Sequence, residues 1–293
     1  MFRLLRITAV VLLSVFVSCF FCGTLEALSW PSQDAILIRN FGSNDRGRPV
    51  MGMIFFGNTE ILAAEKGEVI FSRSRDETFS RLPSPLGSWT AVDHGDGLIS
   101  IYSRYEKEDN VLSKVEKQQK ISSSGISGWS AQNGFYFIVY DRQQRRWINP
   151  ALILTPVRES RPPQILSVDL RNAQGLPVQS RNLVQGRYTV MVNTVSAAAV
   201  RGSLLSPLVA PQRIVCLVNG AEAGSLNFEA VSARDGILMV YRNGLVPAQQ
   251  IYANYPSYET AEVFFNRGQA SLEIIVQDIA GNSRSVINRL FVN

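Results

Sequence analysis

Histidine is the side chain that most often moves protons or binds zinc near neutral pH. This sequence of 293 residues contains a single one, His94. One His cannot supply a two-His zinc site, a Ser-His-Asp triad together with a His ligand, or a His-rich switch. Without a second His, a serine nucleophile needs a lysine as its base, and no Ser and Lys spacing indicates such a pair. The residue types therefore argue against the common hydrolytic sites.

The other reactive side chains are equally sparse. Cys19 and Cys22 lie in an apolar N-terminal run, and Cys216 lies in the apolar run Ile214–Val218. If the N-terminal run is removed, Cys216 is the one cysteine left, so an intrachain disulfide is excluded and a buried core role is predicted. The sequence has no Gly-rich phosphate loop and no dinucleotide fingerprint, so no nucleotide cofactor is expected.

The N-terminus has the layout of a secretory signal. Two arginines precede residues 7–22, an almost unbroken apolar run that is short for a membrane-spanning helix. Cleavage after Ala27 would make residues 1–27 a signal peptide. Lipidation of Cys19 and an uncleaved anchor are the alternatives. Each route predicts an exported protein of the periplasm or cell envelope that touches the membrane only through its N-terminus.

Length and composition bound the fold. At ~150 residues per domain, the chain length predicts two domains. Hydrophobic residues make up 46% and charged residues 18%, which excludes disorder throughout. The net charge of +5 is diffuse and is explained by solubility or by attraction to anionic polymers and lipid surfaces. Nucleic acid is not an expected partner. The proline-rich segment 156–163 is typical of a linker between two blocks.

Residues 28–155, the first block, are rich in strand-like runs. Apolar runs separated by glycine-containing turns predict strands at Ile61–Ala64, Glu68–Ser72, Trp89–Asp93, Leu98–Tyr105 and Phe135–Tyr140. His94–Gly97 between two of them favours a tight hairpin. Only Val111–Lys120 indicates a helical turn.

Residues 164–293, the second block, repeat a rhythm of short strands and turns. Eight runs predict strands at Ile165–Leu170, Gly186–Val192, Arg213–Val218, Ser225–Phe228, Ile237–Tyr241, Ala261–Phe265, Ala270–Gln277 and Ser285–Val292. So many short strands indicate an antiparallel sandwich. Asp278–Asn282 resembles the D-x-A-G-N turn of bacterial immunoglobulin-like domains, in which the Asp and the Asn cap the turn. We therefore expect an all-β chain that ends in an immunoglobulin-like β-sandwich.

The order of motifs in the first block resembles one family. Ala63–Val69 is similar to the strand-turn-strand V-x-A-x-x-x-G-x-V of the lysostaphin/LytM-type zinc endopeptidases, which cut peptide cross-links in bacterial peptidoglycan. Further motifs of that family are matched in order at Leu86–Gly97, Ile99–Tyr105, Lys120–Gly128 and Asn149–Pro150. The resemblance implies a LytM-like antiparallel β domain of the duplicated hybrid motif type at residues 28–155.

The resemblance also implies where zinc would be bound. The family holds zinc with the His and Asp of H-x-G-x-D and the second His of H-x-H, while the first His of H-x-H and the His of Y-x-H move protons. The aligned positions in this sequence are all different: Val50, Ile54, Arg104, Gly134 and Tyr136. His94 aligns with a turn His that is usually not a ligand. We therefore expect no zinc site, no cofactor and no catalytic residue, that is, a degenerate member.

Two interpretations fit the residues that replace the metal site. Val50 and Ile54 share a strand face and would form an apolar patch beside Tyr136, either as a repacked dead site or as the floor of a groove that grips a peptide without cutting it. Arg104 either pairs with a carboxylate there or lies exposed. Tyr102 and Trp129 add aromatic surface of the kind that anchors interfaces, or fill the core. The groove candidates are Val50, Ile54, Tyr102, Arg104, Trp129, Gly134 and Tyr136.

Three functions are compatible with these residues. The favoured one is a non-catalytic envelope factor whose groove binds a cell-wall hydrolase, an assembly protein or a peptidoglycan peptide and regulates wall remodelling. The second is an active peptidoglycan metalloendopeptidase with an unusual site. The third is a structural or adhesion module in which the second block makes the contacts.

Overall fold

The structure is a computed structural model that describes residues 27–74, 84–106, 112–156, 161–178, 182–197 and 208–293. Apart from Ala27, the predicted signal segment, including Cys19, lies outside these residues. Within the described ranges, no helix has the length and apolar character needed to cross a membrane. The chain is almost entirely β, as the sequence predicts.

The first half of the chain contains strands β1 to β12 and ends in a 3₁₀ turn at Pro150–Leu152. The strands are Ile36–Arg39 (β1), Asn44–Asp45 (β2), Arg48–Pro49 (β3), Met53–Phe56 (β4), Glu60–Leu62 (β5), Gly67–Arg73 (β6), Ser88–Asp93 (β7), Leu98–Tyr105 (β8), Lys114–Val115 (β9), Lys120–Ser123 (β10), Gly134–Asp141 (β11) and Arg146–Ile148 (β12). The prediction of a helical turn before Lys120 is wrong for the described residues. Val115 and Ile121 instead reach the core from the short strands β9 and β10.

Strand β11 is the centre of the first-half sheet. It pairs with β8 along one edge and with β4 and then β12 along the other, and the sheet continues from β8 through β7 and β6 to β9. Because side chains alternate along a strand, Phe135 and Phe137 enter the core of this half, whereas Tyr136 and Ile138 lie on the opposite face. We call this opposite face, which also carries Ile54, the site face.

In the described part of the second half there are strands β13 to β24 and one short helix. They are Arg161–Arg171 (β13), Pro177–Val178 (β14), Asn182–Leu183 (β15), Gly186–Ala197 (β16), Leu208–Val209 (β17), Arg213–Val218 (β18), Ala221–Arg234 (β19), Ile237–Arg242 (β20), Leu245–Pro247 (β21), Ala248–Tyr252 (α1), Tyr258–Phe265 (β22), Gly268–Gln277 (β23) and Ser283–Val292 (β24). All eight predicted strands lie within observed ones. Strand β13 begins inside the segment 156–163 that composition assigns to a linker.

Two sheets pack face to face in the second half. One contains β13, β14, β16, β17 and β22, and the other contains β15, β18, β19, β20, β21, β23 and β24. Val190 and Val192 from the first sheet share a core with Ile274 and Val276 from the second. The immunoglobulin-like assignment stays a prediction within this all-β class. Its turn has the predicted capping, because the Asn282 backbone N–H and side-chain amide each donate to the Asp278 carboxylate at 2.9 Å.

The two halves share a sheet as well as a connecting segment. Strand β12 pairs with β19, with Trp147 opposite Val231, and among the described residues one 15-stranded sheet therefore runs through both halves. The Asn149 side-chain amide donates to the Phe228 carbonyl at 2.9 Å. Phe41, from the first half, is buried in the core of the second. The first half thus depends on the second for part of its packing.

Candidate functional site

Strand pairing brings together the positions that align with the family's zinc ligands and proton-transfer residues. Tyr136 of β11 lies opposite Ile54 of β4 on one side and opposite Ser103 of β8 on the other. Arg104 directly follows Ser103 and so lies beside Tyr136. Val50 is in the segment that leads into β4. The candidate site is therefore built on three neighbouring strands of one sheet.

An apolar cluster fills this place. Val50, Tyr136 and Ile138 are 5%, 8% and 5% exposed and pack against one another, with Ile54 against them. The Tyr136 hydroxyl accepts a hydrogen bond from the Met51 backbone N–H at 3.0 Å, which ties the ring to the segment before β4. Burial raises the pKa of Tyr136 to about 12, so its phenol is neutral at physiological pH. Side chains thus occupy the centre of the candidate site.

Arg104 is the extra residue of a β-bulge in the pairing of β8 with β7. Its backbone is in the left-handed region, with φ at +69°, and its N–H donates to the Leu86 carbonyl at 2.8 Å. Bulges change the direction of a side chain relative to the regular alternation. Here the guanidinium carbon lies 4.9 Å from the centroid of the Tyr136 ring, which is cation–π distance. The bulge therefore places a positive charge on the site face.

The Arg104 charge has no ion-pair partner among the described residues. Its Nε atom is buried and makes no hydrogen bond. The Asp45 carboxylate attracts the guanidinium weakly, and that carboxylate contacts Arg39 at 4.0 Å. Burial lowers the pKa of Arg104, and the interactions with Tyr136 and Asp45 oppose this effect. The side chain remains charged, because its ordinary pKa is above ~12.

Gly134 leaves no space for a ligand side chain. A Cβ atom at this position would lie 2.0 Å from the carbonyl oxygen of Phe55. The Gly134 N–H donates to the Gly125 carbonyl at 3.0 Å, and the Gly125 N–H donates back at 2.9 Å, which holds the backbone in place. Gly52, the one residue kept from the family's first zinc motif, is equally crowded, since its Cβ would lie 2.2 Å from the Phe137 carbonyl.

Tyr102 lies on the core face and does not line the site. It is fully buried, and its hydroxyl accepts from the Ala64 N–H at 2.7 Å and lies 3.0 Å from Ser100 Oγ. His94 continues this network, with Nε2 2.7 Å from Ser100 Oγ and Nδ1 2.8 Å from the Lys66 carbonyl. Because a carbonyl oxygen can only accept, Nδ1 carries the proton. Both residues hold the turn between β5 and β6 against β7 and β8.

Trp129 lies at the rim of the site. Its side chain is 73% exposed, in the turn between β10 and β11, and its N–H donates to the Pro85 carbonyl at 3.1 Å. The next residue, Leu86, bonds the Arg104 backbone and packs against the apolar cluster. Segment 84–88 therefore lies between Trp129 and Arg104. Leu86 was not among the predicted site residues. The one sequence feature that indicates its role is an apolar residue directly after a proline.

The residues at this site do not fit zinc. Zinc in a protein needs at least three N, O or S ligands at ~2.0–2.3 Å. Of the five aligned side chains, Tyr136 alone has a lone-pair atom free of positive charge, and that oxygen accepts from Met51. Arg104 would repel a dication. Across the part of the chain that the structure describes, no group of three or more His, Cys, Asp or Glu side chains is arranged to hold a metal.

Comparisons with known proteins identify two matched regions. The family model described as peptidase family M23 matches residues 50–150. A second family model, which carries no functional description, matches residues 162–293. A search of curated proteins finds no match.

Three solved structures are similar to the chain at low identity. One is a chain of the SpoIIQ–SpoIIIAH pore forming complex, 19% identical with a TM-score of 0.38, covering 46% of this chain and 95% of that chain. Another is a mutant catalytic domain of the prophage-encoded M23 protein EnpA from Enterococcus faecalis, 19% identical with a TM-score of 0.34, covering 43% and 93%. The third is Helicobacter pylori Csd3, 22% identical with a TM-score of 0.35, covering 45% and 34%.

The matched region 50–150 contains all five aligned positions, and it contains Trp129 as well. It therefore includes the whole candidate site. Residues 50–150 match peptidase family M23, and the resemblance to the lysostaphin/LytM-type endopeptidases that the motifs indicate is confirmed.

Proposed function

We propose that this chain is a non-catalytic factor of the cell envelope. Exported through its N-terminal segment, it uses the site face of its peptidase-like domain to bind a cell-wall hydrolase or a peptidoglycan peptide. Binding without cleavage regulates where or when the wall is remodelled. The second half, which shares a sheet with β12, fixes the orientation of the binding domain.

The observation that carries this proposal is the replacement of every aligned zinc-binding and proton-transfer residue in a region, residues 50–150, that matches the model of peptidase family M23. Val50 and Ile54 cannot coordinate a metal, Gly134 has no side chain, and its backbone is closed against Phe55. Amide hydrolysis by this family needs a polarised carbonyl and an activated water. No described side chain at the site supplies either.

Two features of the site, a buried Arg104 nitrogen without a hydrogen bond and an exposed tryptophan, favour a binding surface over a dead site that has merely been repacked. Repacking after loss of a metal is expected to leave apolar, satisfied contacts, because buried unpaired charge is costly. Arg104 instead keeps a buried nitrogen without a hydrogen bond. Trp129 remains largely exposed at the rim. A ligand that covers both residues would remove both costs.

The test combines a cleavage assay and a binding assay on the full-length chain, purified in mild detergent because of its apolar N-terminal run. With added zinc, we expect no release of soluble peptide fragments from purified peptidoglycan, under conditions in which lysostaphin releases them. We expect retention of the chain by peptidoglycan in co-sedimentation, or by a purified envelope hydrolase in a pull-down.

A matched pair of variants separates the site from the rest of the surface. Trp129→Ala should weaken retention, whereas Leu176→Ala should not, because Leu176 is a similarly exposed apolar residue, 61% exposed, in the second half. Zinc-dependent release of fragments would contradict the proposal and favour the peptidase alternative. Equal retention of both variants would favour an adhesion surface elsewhere on the chain.

A further inference from the structure

Among the described site residues, Arg104 is the one with a buried polar atom that lacks a hydrogen-bond partner. Its Nε atom is buried without a hydrogen bond, and the guanidinium contacts the face of Tyr136. A buried guanidinium normally has a carboxylate or several acceptors, because it carries five N–H donors. The Tyr136 ring offsets part of the desolvation cost, but a ring face accepts no full hydrogen bond.

The carboxylates nearby do not supply the missing acceptor. Asp45 contacts Arg39, and its side chain is 52% exposed. Glu106 follows Arg104 by two residues, and its side chain lies against Gly125. No described carboxylate pairs with Arg104. Any further acceptor for the guanidinium is therefore water or a bound ligand.

The segment that precedes β11 exposes two large apolar side chains. Trp129 is 73% exposed and Ile126 is 55% exposed, both in the segment before β11. The Trp129 N–H donates to the Pro85 carbonyl and the Arg104 N–H donates to the Leu86 carbonyl. Both residues are therefore bonded to the same short backbone segment. Tryptophan, tyrosine and arginine are the residue types that dominate binding energy at protein–protein interfaces. An exposed tryptophan and a half-buried arginine, both bonded to the same short backbone segment, have this composition.

We propose that Arg104, Tyr136 and Trp129 form a receptor for a segment of a protein partner that presents a carboxylate side chain next to a large apolar side chain. The carboxylate bonds the guanidinium above the Tyr136 ring, and the apolar side chain packs on Trp129. This inference rests on the proposed binding function and specifies its ligand chemistry. A charged ligand group matches the charge that the protein leaves unpaired.

The experiment uses the full-length chain in mild detergent and a displayed library of random peptides. Selection should enrich peptides with Asp or Glu next to Leu, Phe or Trp. For a selected peptide, replacing its Glu by Gln should weaken binding to the wild type about tenfold or more, since hydrogen bonds to charged groups are the strong ones. Arg104→Gln should bind the Glu and Gln peptides equally. Arg145→Gln, at an exposed turn arginine, should keep the preference for Glu.

Each alternative result has a distinct meaning. This inference is wrong if selected peptides lack acidic residues, or if Arg104→Gln keeps the preference for Glu. Peptide binding that is abolished by Trp129→Ala would in that case still support the proposed function. If purified peptidoglycan binds in an Arg104-dependent manner and no peptide is enriched, the partner is the wall polymer and this inference fails alone. Zinc-dependent cleavage would overturn the proposed function itself.

Discussion

Tyr102 on the core face and Arg104 on the site face of the first-half sheet differ in how their polar atoms are satisfied. On the core face, the Tyr102 hydroxyl accepts from the Ala64 N–H and meets Ser100, and His94 extends this network to Lys66. On the site face, Arg104 has a buried nitrogen without a hydrogen bond. Both residues belong to the same strand, β8, and their side chains lie on its opposite faces.

We propose that this difference separates a residue that stabilises the fold, Tyr102, from a residue that binds a ligand, Arg104. Satisfied buried polar groups contribute to stability, and their removal leaves partners unpaired. A half-buried charge without an ion-pair partner adds little to stability or lowers it. Substitution of Tyr102 should therefore change stability and leave binding intact, and substitution of Arg104 should change binding and leave stability nearly intact.

The largest loss of stability is expected from substitution of Gly134, which packs against the backbone of β4. Gly134→Ala places a Cβ 2.0 Å from the Phe55 carbonyl oxygen, so the β4–β11 pairing must open. We expect a loss of about 3 kcal/mol in the free energy of unfolding, measured by urea denaturation. Gly186→Ala is the control, since a Cβ there meets only the Val184 carbonyl at 4.0 Å. Equal stability of the two variants would show that the site is not closed as described.

On the core face, Tyr102→Phe should destabilise the protein without affecting binding. The change removes the acceptor of the Ala64 N–H, which stays buried. We expect a loss of about 1–3 kcal/mol, because a buried donor then lacks a partner. Tyr241→Phe, at a tyrosine that is 49% exposed, should change little. A loss of peptide binding in Tyr102→Phe would contradict its assignment to the core.

The burial of Tyr102 also predicts that the stability of the protein depends on pH at high pH. Burial raises the pKa of Tyr102 to about 12 in the folded protein, against 10.0 for an exposed tyrosine. The folded state thus holds the Tyr102 proton more tightly than the unfolded state. The contribution of Tyr102 to the free energy of unfolding is therefore complete below pH 10 and is lost as the pH rises from 10 towards 12. One tyrosine accounts for at most ~1.4 kcal/mol per pH unit. Urea midpoints from pH 9 to 11 should fall less steeply in Tyr102→Phe than in Tyr241→Phe, and parallel curves would contradict the burial.

The smallest effect on stability is expected at Arg104, although its effect on binding is large. Arg104→Met removes a half-buried charge that has no ion-pair partner among the described residues, and it keeps an unbranched apolar stem over the Tyr136 ring. We expect the free energy of unfolding to stay within about 1 kcal/mol of the wild type or to rise, as when buried charges are replaced by apolar groups. Peptide binding should be lost. A destabilisation as large as that of Tyr102→Phe would mean that Arg104 has a structural partner.

Strand positions in this chain were predictable because they depend on local patterns. Leu98–Tyr105 and Arg213–Val218 were predicted with the same bounds that the structure gives, since alternating apolar residues and flanking turns fix both ends. The pairing of β12 with β19 was not predictable, because it joins segments about 80 residues apart in a way that no local pattern encodes. Strand β13 also extends into the proline-rich segment that composition assigned to a linker.

The candidate site was predictable in its residue types and less so in its geometry. Arg104 was a groove candidate because it aligns with a family His, and Tyr102 because of its aromatic ring, and simple alternation puts both on one face of β8. The bulge at Arg104 breaks this alternation, and only Arg104 reaches Tyr136. A left-handed backbone at an arginine has no sequence signal, because such residues usually are Gly, Asn or Asp. The unpaired state of Arg104 likewise depends on contacts between distant segments.

The central claim is that the zinc site of the family has been replaced by a non-catalytic binding site. Metal analysis tests it most directly, on full-length chain equilibrated with zinc and then dialysed. The account predicts no stoichiometric zinc in the wild type or in His94→Ala. Retention of about one zinc per chain by the wild type, lost in His94→Ala or Tyr136→Phe, would contradict it, because a retained ion needs ligands that the site face lacks.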